Sequence, residues 1–124
     1  MTGEDQHEIV RLRRHLADAK ANRDEAAWFE KMERARAESR IITALEGDLG
    51  KNEAERNRTL LLGLDTDHSY RVARSDLRDA ELEVALAEAQ IEAWTDRRRR
   101  EREALQRETN MALLQAAGLV EVGP

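Results

Sequence analysis

The stretch from Tyr70 to Ala117 contains neither Gly nor Pro and repeats its apolar residues every seven positions. Counting in sevens from Tyr70 gives Leu77, Val84, Ile91, Arg98, Leu105 and Ala112, and from Ala73 it gives Ala80, Ala87 and Trp94. Side chains spaced three and then four residues apart share one stripe of an α-helix, so this span reads as a long helix with one face turned to another helix. Large residues alternate with alanines, which lets a neighbouring backbone come close on the alanine side. The repeat therefore constrains architecture far more than chemistry.

Whether such a chain folds at all depends on its apolar content. Leu, Ile, Val and Phe number only 25 of 124 residues, near the level where disorder competes, so the seven-residue stripe has to supply the case for order. Ala, Glu, Lys, Leu and Arg account for 72 residues, the composition of long helices and coiled coils. The single Pro is the last residue, and Gly stands at 3, 47, 50, 63, 118 and 123, so the breakers mark the ends and one reversal.

Before the reversal, the spacing predicts a helix over about 4–46. Its apolar residues fall at Ile9, Leu12, Leu16 and Ala19, then at Trp28, Met32, Ala35, Ile42 and Leu49. The step from Leu16 to Trp28 is not a multiple of seven, so the stripe changes phase between Ala21 and Ala27. Gly47 to Asn52 is the break. Asn52 with Glu55 three residues on is a capping-box pattern opening a short helix over about 53–62, with Gly63 as its C-terminal cap. Asp65, Thr66 and Asp67 are N-cap candidates for the long helix, over about 67–117, which leaves 118–124 as a tail containing Leu119, Val120 and Val122.

One helical domain over 1–124 follows, all-α, in which the two long helices pair as an antiparallel hairpin (coiled coil) with a short helix at the reversal. The register expected from the two stripes sets Ile42 near Leu77, Ala35 near Val84, Trp28 near Ile91 and Ala21 near Arg98. On the alternate layer it sets Met32 against Ala87 and Ser39 against Ala80, with both tryptophans in the core. Such a hairpin leaves Phe29, Leu82, Leu86 and the cluster Leu60, Leu61, Leu62 and Leu64 poorly covered. Apolar patches of that kind mark an interface, so the expected assembly is a homodimer in a four-helix arrangement.

The charges suggest partners. A net charge of −5 argues against coating nucleic acid with the whole surface, yet Arg97, Arg98, Arg99, Arg100 and Arg102 form a local basic end that could contact phosphate or an acidic partner. The competing reading is a solvated face on which Arg97 and Arg99 pair with Glu101 and Glu103, while Arg98, on the stripe itself, pairs with an acid such as Glu25 or Asp18. Asp76, Asp79, Glu83, Glu88 and Glu92 could present acidic faces that mimic DNA, as in an inhibitor. Glu30 and Glu33 with Asp76, Asp79 and Glu83 have spacings partly suited to a magnesium-dependent all-α hydrolase.

Nothing else supports catalysis. His7, His15 and His68 lack a second ligand one turn on, and the segment Gly47 to Gly50 lacks the ending and the preceding strand of a phosphate loop. There is no cysteine, and no run approaches the roughly 18 apolar residues of a membrane span. The acidic, polar first residues do not make a signal peptide. The expectation is a non-enzymatic cytoplasmic protein with no cofactor, no metal and no membrane, acting through an unidentified protein partner.

The segment Gly50-Lys51-Asn52-Glu53-Ala54-Glu55-Arg56, followed by Leu60 to Leu62, Asp67, Tyr70 and the Ala/Glu/Leu-rich helix, resembles a group of small helical proteins of phages and prophages. In that group a GKN-x-x-x-R start, a Leu-rich short helix, an acid and Tyr pair and a long heptad helix recur in this order. The resemblance covers roughly residues 45–110. It implies a mobile-element origin, a role as accessory to DNA replication or recombination, and a host-cell cytoplasmic location. It carries over no catalytic residues; Gly50, Lys51, Asn52, Arg56, Leu61 and Tyr70 match best, and their structural reading is a cap and hinge for the helix reversal.

Overall fold

The computed structural model describes residues 3–118. They form three α-helices, α1 (Gly3–Ala44), α2 (Glu53–Thr66) and α3 (His68–Ala116). The architecture is an all-α bundle dominated by the packing of α3 against α1. The two run antiparallel: Ile9 and Leu12 near the start of α1 pack with Ile91 and Trp94, and Ala37 near its end packs with Tyr70. The expected tail lies outside the described residues beyond Gly118.

Helix α1 stops two residues short of the expected end because its carbonyls are closed by a Schellman motif. The Gly47 N–H donates to the Ile42 carbonyl at 3.0 Å and the Glu46 N–H to the Thr43 carbonyl at 3.1 Å. The left-handed residue this motif requires is Glu46, at φ 54°, with Gly47 following at φ 82°. A non-glycine in that conformation carries steric strain. The chain then enters α2 through the expected cap. Asn52 Oδ1 accepts from the Glu55 N–H at 2.9 Å, and Glu55 Oε2 accepts from the Lys51 N–H at 2.8 Å, one residue earlier than in a standard capping box. Gly50, at φ 140°, lies so close that a Cβ there would be 2.7 Å from Glu55 Cβ.

Gly63 does not end α2, which continues to Thr66. Its missing side chain serves packing instead: a Cβ would sit 2.6 Å from Ile41 Cδ1 and 2.8 Å from Cγ1, so glycine lets α2 lie directly on the last turns of α1. Leu64 follows it into the core, 3% exposed, against Ala37 and Tyr70. Asp67 alone separates α2 from α3. Its N–H closes α2 on the Leu64 carbonyl, and its side chain caps α3 by accepting from the Tyr70 N–H at 2.9 Å.

This docking corrects the expected register. Helix α2 runs back along α1 before α3 begins, so Tyr70 enters beside Ala37, and Ile91 and Trp94 meet Ile9 and Leu12, not Trp28. The slide is about four helical turns, roughly 24 Å along the axis. As a result α3 runs out past the start of α1. On α3 the buried or half-buried positions include Tyr70, Ala73, Leu77, Ala80, Val84, Ala87, Ile91, Trp94 and Arg98, the expected stripe as far as Arg98, with Asp96 and Gln115 half-buried off it. Beyond it every residue from Arg99 to Leu114 is exposed.

The expected phase change in α1 is also absent. The covered stripe continues from Ile9, Leu12, Leu16 and Ala19 through Arg23, Ala26, Glu30, Glu33 and Ala37 to Ile41. Trp28 is therefore 59% exposed, and Met32, Ala35 and Ile42 are exposed as well. The polar residues tolerate partial burial because they find partners: Glu30 accepts from the Tyr70 hydroxyl at 3.1 Å, and Glu33 accepts from Arg36 at 2.8 Å. Ala37, 0% exposed, stands where all three helices converge.

Candidate interaction surfaces

The reversal residues build a junction. Arg40 donates both arms of its guanidinium to Asp67, at 3.1 and 3.0 Å. With the Tyr70 N–H as second donor, Arg40 holds the Asp67 carboxyl below its ordinary range. Burial, then the bond to Glu30, raises the Tyr70 phenol above its ordinary value. Tyr70 is thus the wedge of the junction, while Gly50, Lys51 and Asn52 form the α2 cap. The Arg56 N–H makes the first backbone bond of α2, to the Asn52 carbonyl at 3.0 Å.

At the other end of the hairpin the arginines are largely neutralised, by different acids from those expected. Arg97 pairs with Glu8 at 3.1 Å and Arg99 with Asp96 at 2.8 Å, not with Glu101 and Glu103. Arg98 bridges Asp5 and Glu101 and lies over the Trp94 ring, 5.4 Å from its centroid, not against Glu25 or Asp18. That arrangement ties the stripe residue to the first turn of α1. Among the described residues Arg100 and Arg102 have no ion-pair partner.

Of the apolar residues expected at an interface, Leu64 is core and Leu60 is half-buried, whereas Leu61, Leu62, Phe29, Leu82 and Leu86 are exposed. Phe29 meets Trp28 edge-on, with ring centroids 5.8 Å apart, and borders a groove between α1 and α3. One part, about 300 Å³, is lined by Phe29, Ser69, Val72, Ala73 and Asp76. It continues into a part of about 390 Å³ over Ala26, Ala73 and Ala80, with Glu25 and Asp76 on the rims. Farther along, His15 bridges to Glu83 at 2.8 Å, and Glu8 and Arg11 face Gln90, Ala93 and Arg97 across a further recess.

These features define one flank of α3 that the sequence reading missed. Its row runs Val72, Asp76, Asp79, Glu83, Leu86, Gln90, Ala93, Arg97, Arg100, Ala104, Arg107, Met111 and Leu114, a second three-and-four spacing beside the core stripe. The signal was present in the sequence but diluted by charges. Glu88 and Glu92 fall on the opposite flank by the helix repeat, so the five acids considered for DNA mimicry do not form one strip.

Glu33 and Asp76 line the same groove, whereas the expected register had set Glu33 opposite Leu86. Among the described residues no group of three or more His, Cys, Asp or Glu is placed to hold a metal ion, and no helix is long and apolar enough to cross a membrane. No protein-family model, curated protein or solved structure matches the chain. The arrangement presents an alanine-floored groove, exposed apolar side chains and a flank divided by charge.

Proposed function

We propose that this protein is a non-enzymatic helical interaction protein that self-associates as a homodimer, its hairpins pairing as coiled coils in a four-helix arrangement. The observation that carries this reading is the fully exposed run of α3 from Arg99 to Leu114. A helical extension without packing lacks the main source of helix stability in proteins, which is tertiary contact. Leu105, Met111, Leu113 and Leu114 on that run, with Phe29, Leu82 and Leu86 elsewhere, are apolar surface that a second copy would cover. Function then lies in presenting charged helix faces on a rigid rod to another protein. Its assignment to phage or mobile-element accessory factors of DNA metabolism, acting in the host cytoplasm, rests on the resemblance at Gly50 to Tyr70.

Sedimentation equilibrium tests the reading. A species of twice the chain mass at micromolar concentration is expected, and a monomer throughout would sink it. Direct nucleic-acid binding is a second reading, favoured by the absence of ion-pair partners for Arg100 and Arg102 among the described residues. It requires DNA retention at low salt that falls steeply with added salt and disappears in Arg100→Ala/Arg102→Ala. No retention at low salt rules it out.

A further inference from the structure

The α3 flank described above is segregated by charge. Acids occupy its first half, at Asp76, Asp79 and Glu83, and bases its second, at Arg97, Arg100 and Arg107. Among the described residues Asp76, Asp79 and Arg100 have no ion-pair partner, and Arg107 only donates to the Glu103 backbone carbonyl at 3.4 Å. We propose that two copies pair antiparallel along this flank, with the two-fold axis level with Ile91 and Glu92. Asp76 then meets Arg107 of the second copy, Glu83 meets Arg100, Val72 meets Met111, and Gln90 meets Ala93. This deepens the self-association reading and rests on it.

Three observations select this occupant and this direction. A parallel pairing would set acid on acid and base on base, which is repulsive, whereas the antiparallel one matches opposite signs twice over by symmetry. The exposed run of α3 has no α1 beside it, so it is slim enough to enter the groove of the other copy. That groove, floored by Ala26, Ala73 and Ala80 and walled by Phe29, lies at the level where the run arrives. A second recess along the run, between Ala93, Arg97, Arg100 and Ala104, continues the same track. The paired flank from Val72 to Met111 is about 60 Å long at 1.5 Å per residue. With a strip roughly 10 Å wide it buries on the order of 1,200 Å² in total, the lower end of the range for specific interfaces.

The test is sedimentation equilibrium on the wild type, Asp76→Arg, Arg107→Asp and the double swap, with circular dichroism confirming equal helicity. Each substitution acts at two symmetric places. Single reversals are expected to weaken the dimer at least tenfold, and the swap to restore it to within about threefold. A dimer indifferent to the single reversals, or weakened and not restored by the swap, overturns the pairing while leaving self-association standing. A monomeric wild type removes the self-association reading itself. Because the chain has no cysteine, Val72→Cys and Met111→Cys chains give a second measurement. Oxidation of an equal mixture should yield the mixed disulfide; none in a dimeric mixture, or efficient linkage of Val72→Cys chains to themselves, overturns the antiparallel arrangement.

Discussion

Gly63 illustrates how one residue can carry a contact that its usual role conceals. A mid-helix glycine ordinarily costs about 1 kcal/mol relative to alanine, so Gly63→Ala should stabilise α2 if helix propensity decided the outcome. Here the added Cβ would strike Ile41, whose β-branched side chain has little rotamer freedom to yield. Gly63→Ala is expected to lower the melting temperature, and Ile41→Ala in the same chain to recover part of the loss. Asp67 makes a second prediction at this scale. Its folded pKa is depressed, so its contribution is complete above the unfolded value near 4 and is lost as pH falls through the folded pKa. Asn retains the cap but not the charge. The advantage of wild type over Asp67→Asn in urea titrations should therefore be steady from about pH 5 to 8 and vanish on further acidification. At Glu46, by contrast, the strained left-handed backbone makes Glu46→Gly a stabilising change, by up to about 1 kcal/mol.

Helix α2 sets the relation of the other two elements. By lying back along α1 it lowers the point at which α3 starts, and the length by which α3 outruns α1 follows from that. Ala37 is the pivot of this packing, so Ala37→Leu should cost roughly 1–3 kcal/mol through overpacking, seen as a lower denaturation midpoint. Within α3 the two zones should differ in protection. Amides from Tyr70 to Trp94 are expected to exchange slowly, and those from Arg99 to Leu114 to exchange fast in dilute protein and more slowly as concentration rises. Concentration-independent exchange in the second zone would show that no second copy covers it.

At the scale of the molecule, the hairpin buries little that is large. Two small clusters, Ile9 with Leu12 and Trp94, and Ala37 with Leu64 and Tyr70, stand at its two ends, with Val84, half-buried Leu16 and Leu77, alanines and half-buried charges between. Such a core supports a long rod only if assembly adds apolar burial, and so stability should be coupled to association. The melting temperature is expected to rise with protein concentration and, since opposite charges line the proposed contact, to fall as salt is added at constant concentration. A melting temperature independent of concentration would separate folding from association.

The long α3 stripe was legible because period alone reveals it: Tyr70 to Trp94 repeat with enough alternation of size to show which side is covered. The Asn52 cap was legible because capping uses local chemistry over three residues, whereas Asp65, Thr66 and Asp67 were equal candidates until the structure selected Asp67. The stripe on α1 was misread, since Trp28, Met32 and Ile42 are the more apolar choice, yet Arg23, Glu30 and Glu33 occupy the covered line. Glu33 and Arg23 find partners on their own helix, in Arg36 and Asp24, and Glu30 finds Tyr70, forty residues on, so the covered line carries charge that hydrophobic periodicity cannot register. The charge-divided flank escaped notice for the related reason that a contact row made of Asp, Glu and Arg has no hydrophobic signal. What the sequence by itself determined, then, is helix content, the covered face of α3 and the Asn52 cap, because those depend on residues a turn or two apart. What only the tertiary structure decided is the register and the exposed run beyond Arg98. Both depend on how closely α2 can approach α1, and that is governed by the space a missing methyl at Gly63 leaves against Ile41.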